Sequence, residues 1–268
     1  MACAMVTPFR QAGELDLEGA VVLARHLVDN GNDCLVLTGT TGEATVLSDG
    51  EKVELWRAVV GAVSVPVLAG TGSADTAHSV ALTRAARDCG MAGVLTVTPY
   101  YNRPPQAGIE AHFRAVAEAA GKLPVMLYDI PVRTGRKVAP EVISRLAADG
   151  CIVAVKDATA NPAGTAALIA AAPSSLEVYS GNDADTLPLL AVGAVGVVSV
   201  ESHWAGNELA DMVAAFFKGD IEGARERNAR LLGSHFFQST DEAPNPIPAK
   251  AMLRAMSLPG GDCRLPMG

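Results

Sequence analysis

The feature that most constrains this chain is a repeated alternation of short apolar runs with longer amphipathic stretches. The runs occupy residues 3–7, 34–38, 65–69, 93–98, 125–129, 152–156, 176–180 and 195–200. Each is β-branched and nearly all apolar, with no polar alternation, as a strand buried on both faces requires. Between them, residues 16–30, 48–62, 76–89, 108–120, 140–149, 162–172 and 183–192 carry helical periodicity. Ser48 with Glu51 has capping-box spacing, and Pro140 and Pro162 suit a first helical turn. Asn30-Gly31 and Cys89-Gly90 supply residues that tolerate a left-handed helix stop.

Eight such units, joined by right-handed crossovers, predict an α/β protein of the (β/α)8 TIM-barrel class. A doubly wound sheet is the other arrangement of the same elements. The absence of a GxGxxG turn after the first run counts against it. Residues 1–218 are expected to form the barrel. Three further helical stretches, 204–218, 221–237 and 248–256, follow the last run, so 219–268 reads as a C-terminal helical extension.

Composition narrows the function classes. The 268 residues carry a formal charge of −8 and only 4% aromatics, with no basic stripe, so nucleic-acid binding is not expected. No apolar run is long enough to span a bilayer and no signal peptide is read, so the expected location is cytoplasmic. Cys3, Cys34, Cys89, Cys151 and Cys263 form no CxxC pair and read as buried small hydrophobes. His26, His78, His112, His203 and His235 are scattered and read mostly as helix-surface residues. Neither they nor Glu43 and Asp183 form a metal-ligand pattern, and no metal is expected.

In a barrel, chemistry sits at the carboxyl ends of the strands. Polar, aromatic and glycine residues concentrate there: 39–43, 70–72, 99–103, 128–131, 156–159, 180–183 and 201–203. Lys156 ends an apolar run, whereas the other five lysines occupy helical or loop contexts that suit solvated ammonium groups. Desolvation favours a free amine able to attack a carbonyl; an ion pair with Asp157 is the structural alternative. Tyr128 ends the preceding run. It is either a packed aromatic or a proton relay for that amine. Thr40 and Thr41, flanked by glycines, form either a plain turn or a carboxylate cradle. Arg133 is either a solvated loop arginine or a bidentate clamp for a second carboxylate.

These strand ends together resemble the dihydrodipicolinate synthase (4-hydroxy-tetrahydrodipicolinate synthase) family, within the pyruvate-dependent class I aldolases that include N-acetylneuraminate lyase. The motifs are GTTGEA at 39–44, AGTGS at 69–73, TPYYNRP at 98–104, YDIPVRTG at 128–135, VAVKDAT at 153–159, SGND at 180–183, GVVSV at 196–200 and NPIPAK at 245–250. The resemblance runs along essentially the whole chain. It implies a carbon–oxygen lyase of lysine and diaminopimelate biosynthesis in which Lys156 forms an imine with pyruvate and no separate cofactor is used. Tyr128, Thr40 and Tyr101 become a proton relay, with Tyr101 reaching a neighbouring subunit of a homotetramer. Thr41 would bind the pyruvate carboxylate, with Val198 and Gly181 on the substrate side. Arg133 would hold the carboxylate of L-aspartate 4-semialdehyde.

The double threonine and the Arg-Thr-Gly after the YxxP segment favour the condensing enzyme over the sialic-acid lyase. A non-catalytic 2-keto-acid-binding barrel would have no need of the relay. In lysine-inhibited members the effector cleft uses residues that correspond here to Ala44, Asp49, Lys52, Ala74 and His78, with Tyr100 alone retained. Weak or absent lysine feedback is therefore expected. Both ends read as short relative to the family.

Overall fold

The computed structural model describes residues 1–268. Eight parallel strands are hydrogen-bonded in chain order and close into a barrel. They are β1 (Ala2–Ala4), β2 (Cys34–Leu37), β3 (Val67–Gly70), β4 (Gly93–Val97), β5 (Val125–Asp129), β6 (Ala154–Asp157), β7 (Glu177–Ser180) and β8 (Gly196–Ser199). Helices α1 (Leu17–Asp29), α2 (Asp49–Val60), α3 (Thr76–Asp88) and α4 (Gln106–Ala120) alternate with the first strands. A single turn, α5 (Pro131–Thr134), precedes α6 (Pro140–Ala148); α7 (Pro162–Ala171) and α8 (Thr186–Ala191) follow. After β8 come α9 (Ser202–Phe217), α10 (Ile221–Phe237) and α11 (Ile247–Ala255). No helix is long and apolar enough to cross a membrane.

The chain divides into two compact units, one of residues 1–67 with 199–268 and one of residues 68–198. In the first, α1 buries Ala20, Leu23, Ala24 and Leu27, a stripe at i, i+3, i+4 and i+7 with no exposure. Asp16 caps that helix by accepting from the Gly19 N–H. In α2, Ser48 and Glu51 form the expected reciprocal capping box. In the second unit, α4 buries Ile109, Phe113, Val116 and Ala120 on one stripe. Consecutive residues such as Leu35-Val36 and Ala154-Val155 are buried together, because each strand is covered on both faces.

Three expectations need correction. Only Cys3 is fully buried; Cys34, Cys89, Cys151 and Cys263 are partly exposed, because they lie at element ends or beyond the last helix. His112 and His203 are core residues at 2% and 1% exposure. His112 Nδ1 lies 3.0 Å from the Thr76 hydroxyl, and His203 Nε2 accepts from the Val6 N–H at 3.1 Å. Burial holds both imidazoles down at a pKa of about 4, so each is neutral at pH 7. Finally, Lys52 and Lys250 are not solvated: their exposures are 5% and 0%.

Candidate active site

Lys156 and Tyr128 are exact partners across the β5–β6 ladder. Both are buried, at 4% and 5% exposure, and the Lys156 Nζ lies 4.5 Å from the centre of the Tyr128 ring. Directly opposed parallel residues point to the same side of the sheet, so register alone brings amine and phenol together. Thr98 secures this strand end: its N–H and its hydroxyl both donate to the Tyr128 carbonyl, at 3.0 and 3.1 Å.

One residue further on, the pleat carries Asp129 and Asp157 to the opposite side. Both are buried, at 1% and 5% exposure. Asp157 accepts from the Thr165 hydroxyl at 2.6 Å and from the Thr159 N–H at 2.8 Å. Its bonds therefore run away from Lys156, toward α7 and the loop before it. Asp129 faces the Val138 N–H at 3.3 Å. Burial pushes the Asp129 carboxyl up to about 7, with the charge of Asp157 adding to the rise and the Val138 N–H and Lys137 opposing it.

In the other unit, Thr40 and Thr41 sit in the turn after β2. The Glu43 N–H donates to the Thr40 carbonyl at 3.0 Å, and the Thr7 hydroxyl donates to the Gly42 carbonyl at 2.7 Å. Gly42 is required there, since a Cβ would meet the Thr38 nitrogen at 2.9 Å. Thr41 is 3% exposed, and Asn245 Nδ2 donates to its hydroxyl at 2.9 Å. Glu43, left-handed at φ 54°, pairs with the Lys250 ammonium at 2.6 Å and accepts from the Arg264 N–H at 2.9 Å. Lys250 and the Arg264 guanidinium also lie 4.2 and 4.3 Å from the centre of the Phe9 ring. Sequence reading missed Asn245, Lys250 and Arg264 as contacts of this turn. For Asn245 and Lys250, the motif at 245–250 was the available signal.

The remaining expected residues are placed singly. Val198 lies in β8 at 1% exposure. Gly181 is fixed by close backbone approach: its N–H donates to the Asp157 carbonyl at 2.7 Å, and a Cβ would meet the Ala158 Cβ at 2.9 Å. Arg133 is exposed on α5, just beyond the β5 end that carries Tyr128. Tyr101 is 92% exposed and left-handed at φ 71°. A ring so exposed takes no part in a buried site of its own chain.

Backbone strain follows the same polarity. Non-glycine residues with positive φ are Thr38, Glu43, Tyr101, Arg103, Ala160 and Ser257. All but Ser257 lie in loops leaving the carboxyl ends of strands, each at a strain cost of about 1–3 kcal/mol. No group of three or more His, Cys, Asp or Glu residues is placed to hold a metal ion. What the Lys156–Tyr128 pair can do is hold a desolvated amine against a phenol near the carboxyl ends of two adjacent strands. That is equipment for attack on a carbonyl followed by proton transfer.

Comparison with known proteins agrees. Residues 1–268 match the model of the dihydrodipicolinate synthetase family. A 4-hydroxy-tetrahydrodipicolinate synthase of Acidothermus cellulolyticus is 50% identical over 266 residues, covering 98% of this chain and 85% of that protein. The lysine-bound dihydrodipicolinate synthase of Cyanidioschyzon merolae superposes with a TM-score of 0.94 at 44% identity, covering 99% of this chain and 90% of that one. The Acinetobacter baumannii synthase complexed with pyruvate superposes with a TM-score of 0.94 at 35% identity, covering 100% and 91%. With its eight-stranded barrel and its lysine–tyrosine pair, this chain belongs to the dihydrodipicolinate synthetase family.

Proposed function

We propose that this chain is a 4-hydroxy-tetrahydrodipicolinate synthase that condenses pyruvate with L-aspartate 4-semialdehyde through an imine at Lys156. The observation that carries the reading is the buried Lys156 ammonium nitrogen 4.5 Å from the centre of the Tyr128 ring. The Lys156 amine adds to C2 of pyruvate, and the resulting carbinolamine loses water to give the imine. Loss of a proton from C3 gives the enamine, whose C3 attacks the aldehyde carbon of the semialdehyde. The new alkoxide takes up a proton. The semialdehyde's own amine then adds to C2, closing the ring and expelling Lys156 as the free amine. Each step moves a proton on or off an oxygen, nitrogen or carbon, which is the work assigned to the Tyr128 phenol.

Thr40 and the Tyr101 of a neighbouring subunit complete the relay in a homotetramer. Thr41 donates to the pyruvate carboxylate beside Val198 and Gly181. Arg133, exposed beyond β5, meets the carboxylate of the arriving semialdehyde. The enzyme works in the cytoplasm with no cofactor besides the covalent imine, and residues 219–268 act as a helical extension of a barrel formed by 1–218.

The deciding experiment is borohydride reduction in the presence of pyruvate, followed by peptide mass mapping. A single reduced adduct at Lys156 is expected. An adduct elsewhere, or none, overturns the mechanism.

A further inference from the structure

The segment 245–250 touches the turn after β2 at two points. Asn245 Nδ2 donates to the Thr41 hydroxyl at 2.9 Å, and Lys250, five residues on, pairs with Glu43 at 2.6 Å. The two contacts fall two residues apart on the turn, one on the side chain of Thr41 and one on that of Glu43. Asn245 is itself held, since its N–H donates to the Ser239 hydroxyl at 3.2 Å.

The polarity of the first contact has a chemical consequence. A threonine hydroxyl has one proton and two lone pairs, and a carboxylate can only accept hydrogen bonds. With one Thr41 lone pair engaged by the Asn245 amide, the hydroxyl's proton is directed away from Asn245. It is then free to be given to an anion. Without that amide the hydroxyl rotates, presenting a lone pair to the anion as readily as its proton.

Resting on the reading of Thr41 as the carboxylate ligand, we infer that Asn245 is a positioning residue for substrate binding, setting the Thr41 hydroxyl as a donor toward the carboxylate of the 2-keto acid. Asn245 does not touch the substrate. It acts through Thr41, and pyruvate binding rather than the later chemistry reports it.

Steady-state kinetics with pyruvate and L-aspartate 4-semialdehyde test this. Loss of one orienting hydrogen bond in Asn245→Ala should raise the KM for pyruvate about tenfold, leaving kcat and the second KM within about threefold. Asn245→Asp puts an acceptor and a negative charge where the donor was, so its KM should rise about a hundredfold. In a Thr41→Val background, Asn245→Ala should cause no further change. A merely structural role predicts instead the same loss in both backgrounds, carried by kcat or by the active fraction. Should Asn245→Ala fail to fold, Asn245→Ser is read by the same split. Equal losses in the two backgrounds, or an Asn245→Asp enzyme with the unaltered pyruvate KM, overturn the inference. Borohydride trapping separates this from the underlying reading: no Lys156 adduct in the unaltered enzyme defeats the reading, whereas a normal adduct with an Asn245→Ala enzyme of unaltered kinetics defeats the inference alone.

Discussion

Two lysines of this chain are drawn almost entirely out of water, Lys156 at 4% exposure and Lys250 at 0%, and their surroundings differ in kind. Lys250 reaches the Glu43 carboxylate at 2.6 Å, the Asp262 carbonyl at 3.0 Å and the face of Phe9. Burial lowers its pKa, but Glu43 opposes the fall and holds the ammonium in place. Lys156 instead is the penultimate residue of β6, ladder-paired with Tyr128 and lying against its ring, while the neighbouring carboxylate of Asp157 spends its bonds on Thr165 and Thr159. The two buried lysines thus differ in their partners: Lys250 is clasped by a carboxylate, whereas Lys156 lies against the Tyr128 ring, the contact on which its proposed role as nucleophile rests.

The harshest way to break this comparison is to remove each amine in turn. Lys156→Ala should abolish the borohydride adduct and cut turnover by more than about a thousandfold, while the chain keeps its unfolding midpoint. Residual turnover near the unaltered rate would mean that another amine carries the imine, and Lys250 would be the first to examine. Lys250→Met should do the reverse. It strands the Glu43 carboxylate, at a cost of about 3–5 kcal/mol measured by urea denaturation, while any folded protein still forms its adduct at Lys156. Pairing it with Glu43→Gln removes the stranded charge and should recover most of that loss, because a buried ion pair can be replaced by neutral groups at little cost. If the double variant is no more stable than Lys250→Met, charge pairing is not what Lys250 supplies.

Much of this contrast was written locally, and some of it was not. All eight apolar runs became strands, because unbroken apolar character over four or five residues has few other uses in an alternating chain. Their limits moved by up to three residues. The run 3–7 forms ladder only over Ala2–Ala4, since apolarity continues past the last ladder bond, whereas 152–156 became Ala154–Asp157, its first two residues preceding the ladder and Asp157 extending it. Lys156 and Tyr128 were legible because both belong to adjacent strands whose register follows from the fold. Lys250 and Asn245 were not. Their partners lie about two hundred residues away in sequence, and a lysine in a helix reads as solvated until tertiary packing covers it. The buried histidines His112 and His203 escaped for the same reason, each held by long-range partners that no local pattern announces: Thr76 for His112, Val6 and Cys3 for His203.

The carboxyls sharpen the comparison further. Glu43 has a cation beside it, whereas Asp129 has Asp157 across the ladder and the more distant Lys137. Asp129 is raised from 3.8 to about 7 in the folded chain. Between those values the folded form keeps a proton that the unfolded chain has lost. Stability should thus fall as pH rises from about 4 through about 7, then level off. Asp129→Asn imitates the neutral acid at every pH. Its unfolding free energy should match the unaltered protein below about pH 4 and exceed it increasingly up to about pH 8. Parallel denaturation curves at every pH would show that Asp129 is ionised in the folded state, and would make its surroundings more like those of Glu43.

A third lysine supplies the smallest expected effect. Lys52 in α2 is 5% exposed, with its ammonium 3.5 Å from the Asp49 carboxylate. It is buried like the other two, yet it has neither the fully enclosed partner of Lys250 nor the phenol of Lys156, since the Asp49 side chain is 56% exposed. If this chain shares the effector cleft that the resemblance to lysine-inhibited members implies, Lys52 would stand in it, as would His78, whose Nδ1 lies 3.3 Å from the Ser73 hydroxyl. An effector bearing two ammonium groups needs acceptors and negative charge, and a fixed ammonium there repels it. Free L-lysine at several millimolar should consequently change the initial rate by less than about twofold, in an assay at saturating pyruvate. Lys52→Glu reverses the local charge, so a gain of lysine sensitivity in that variant would show that Lys52 itself disfavours the effector. Strong inhibition of the unaltered enzyme would show instead that lysine binds without the acidic contacts, and that a buried ammonium with a half-exposed partner moves aside more readily than either Lys156 or Lys250.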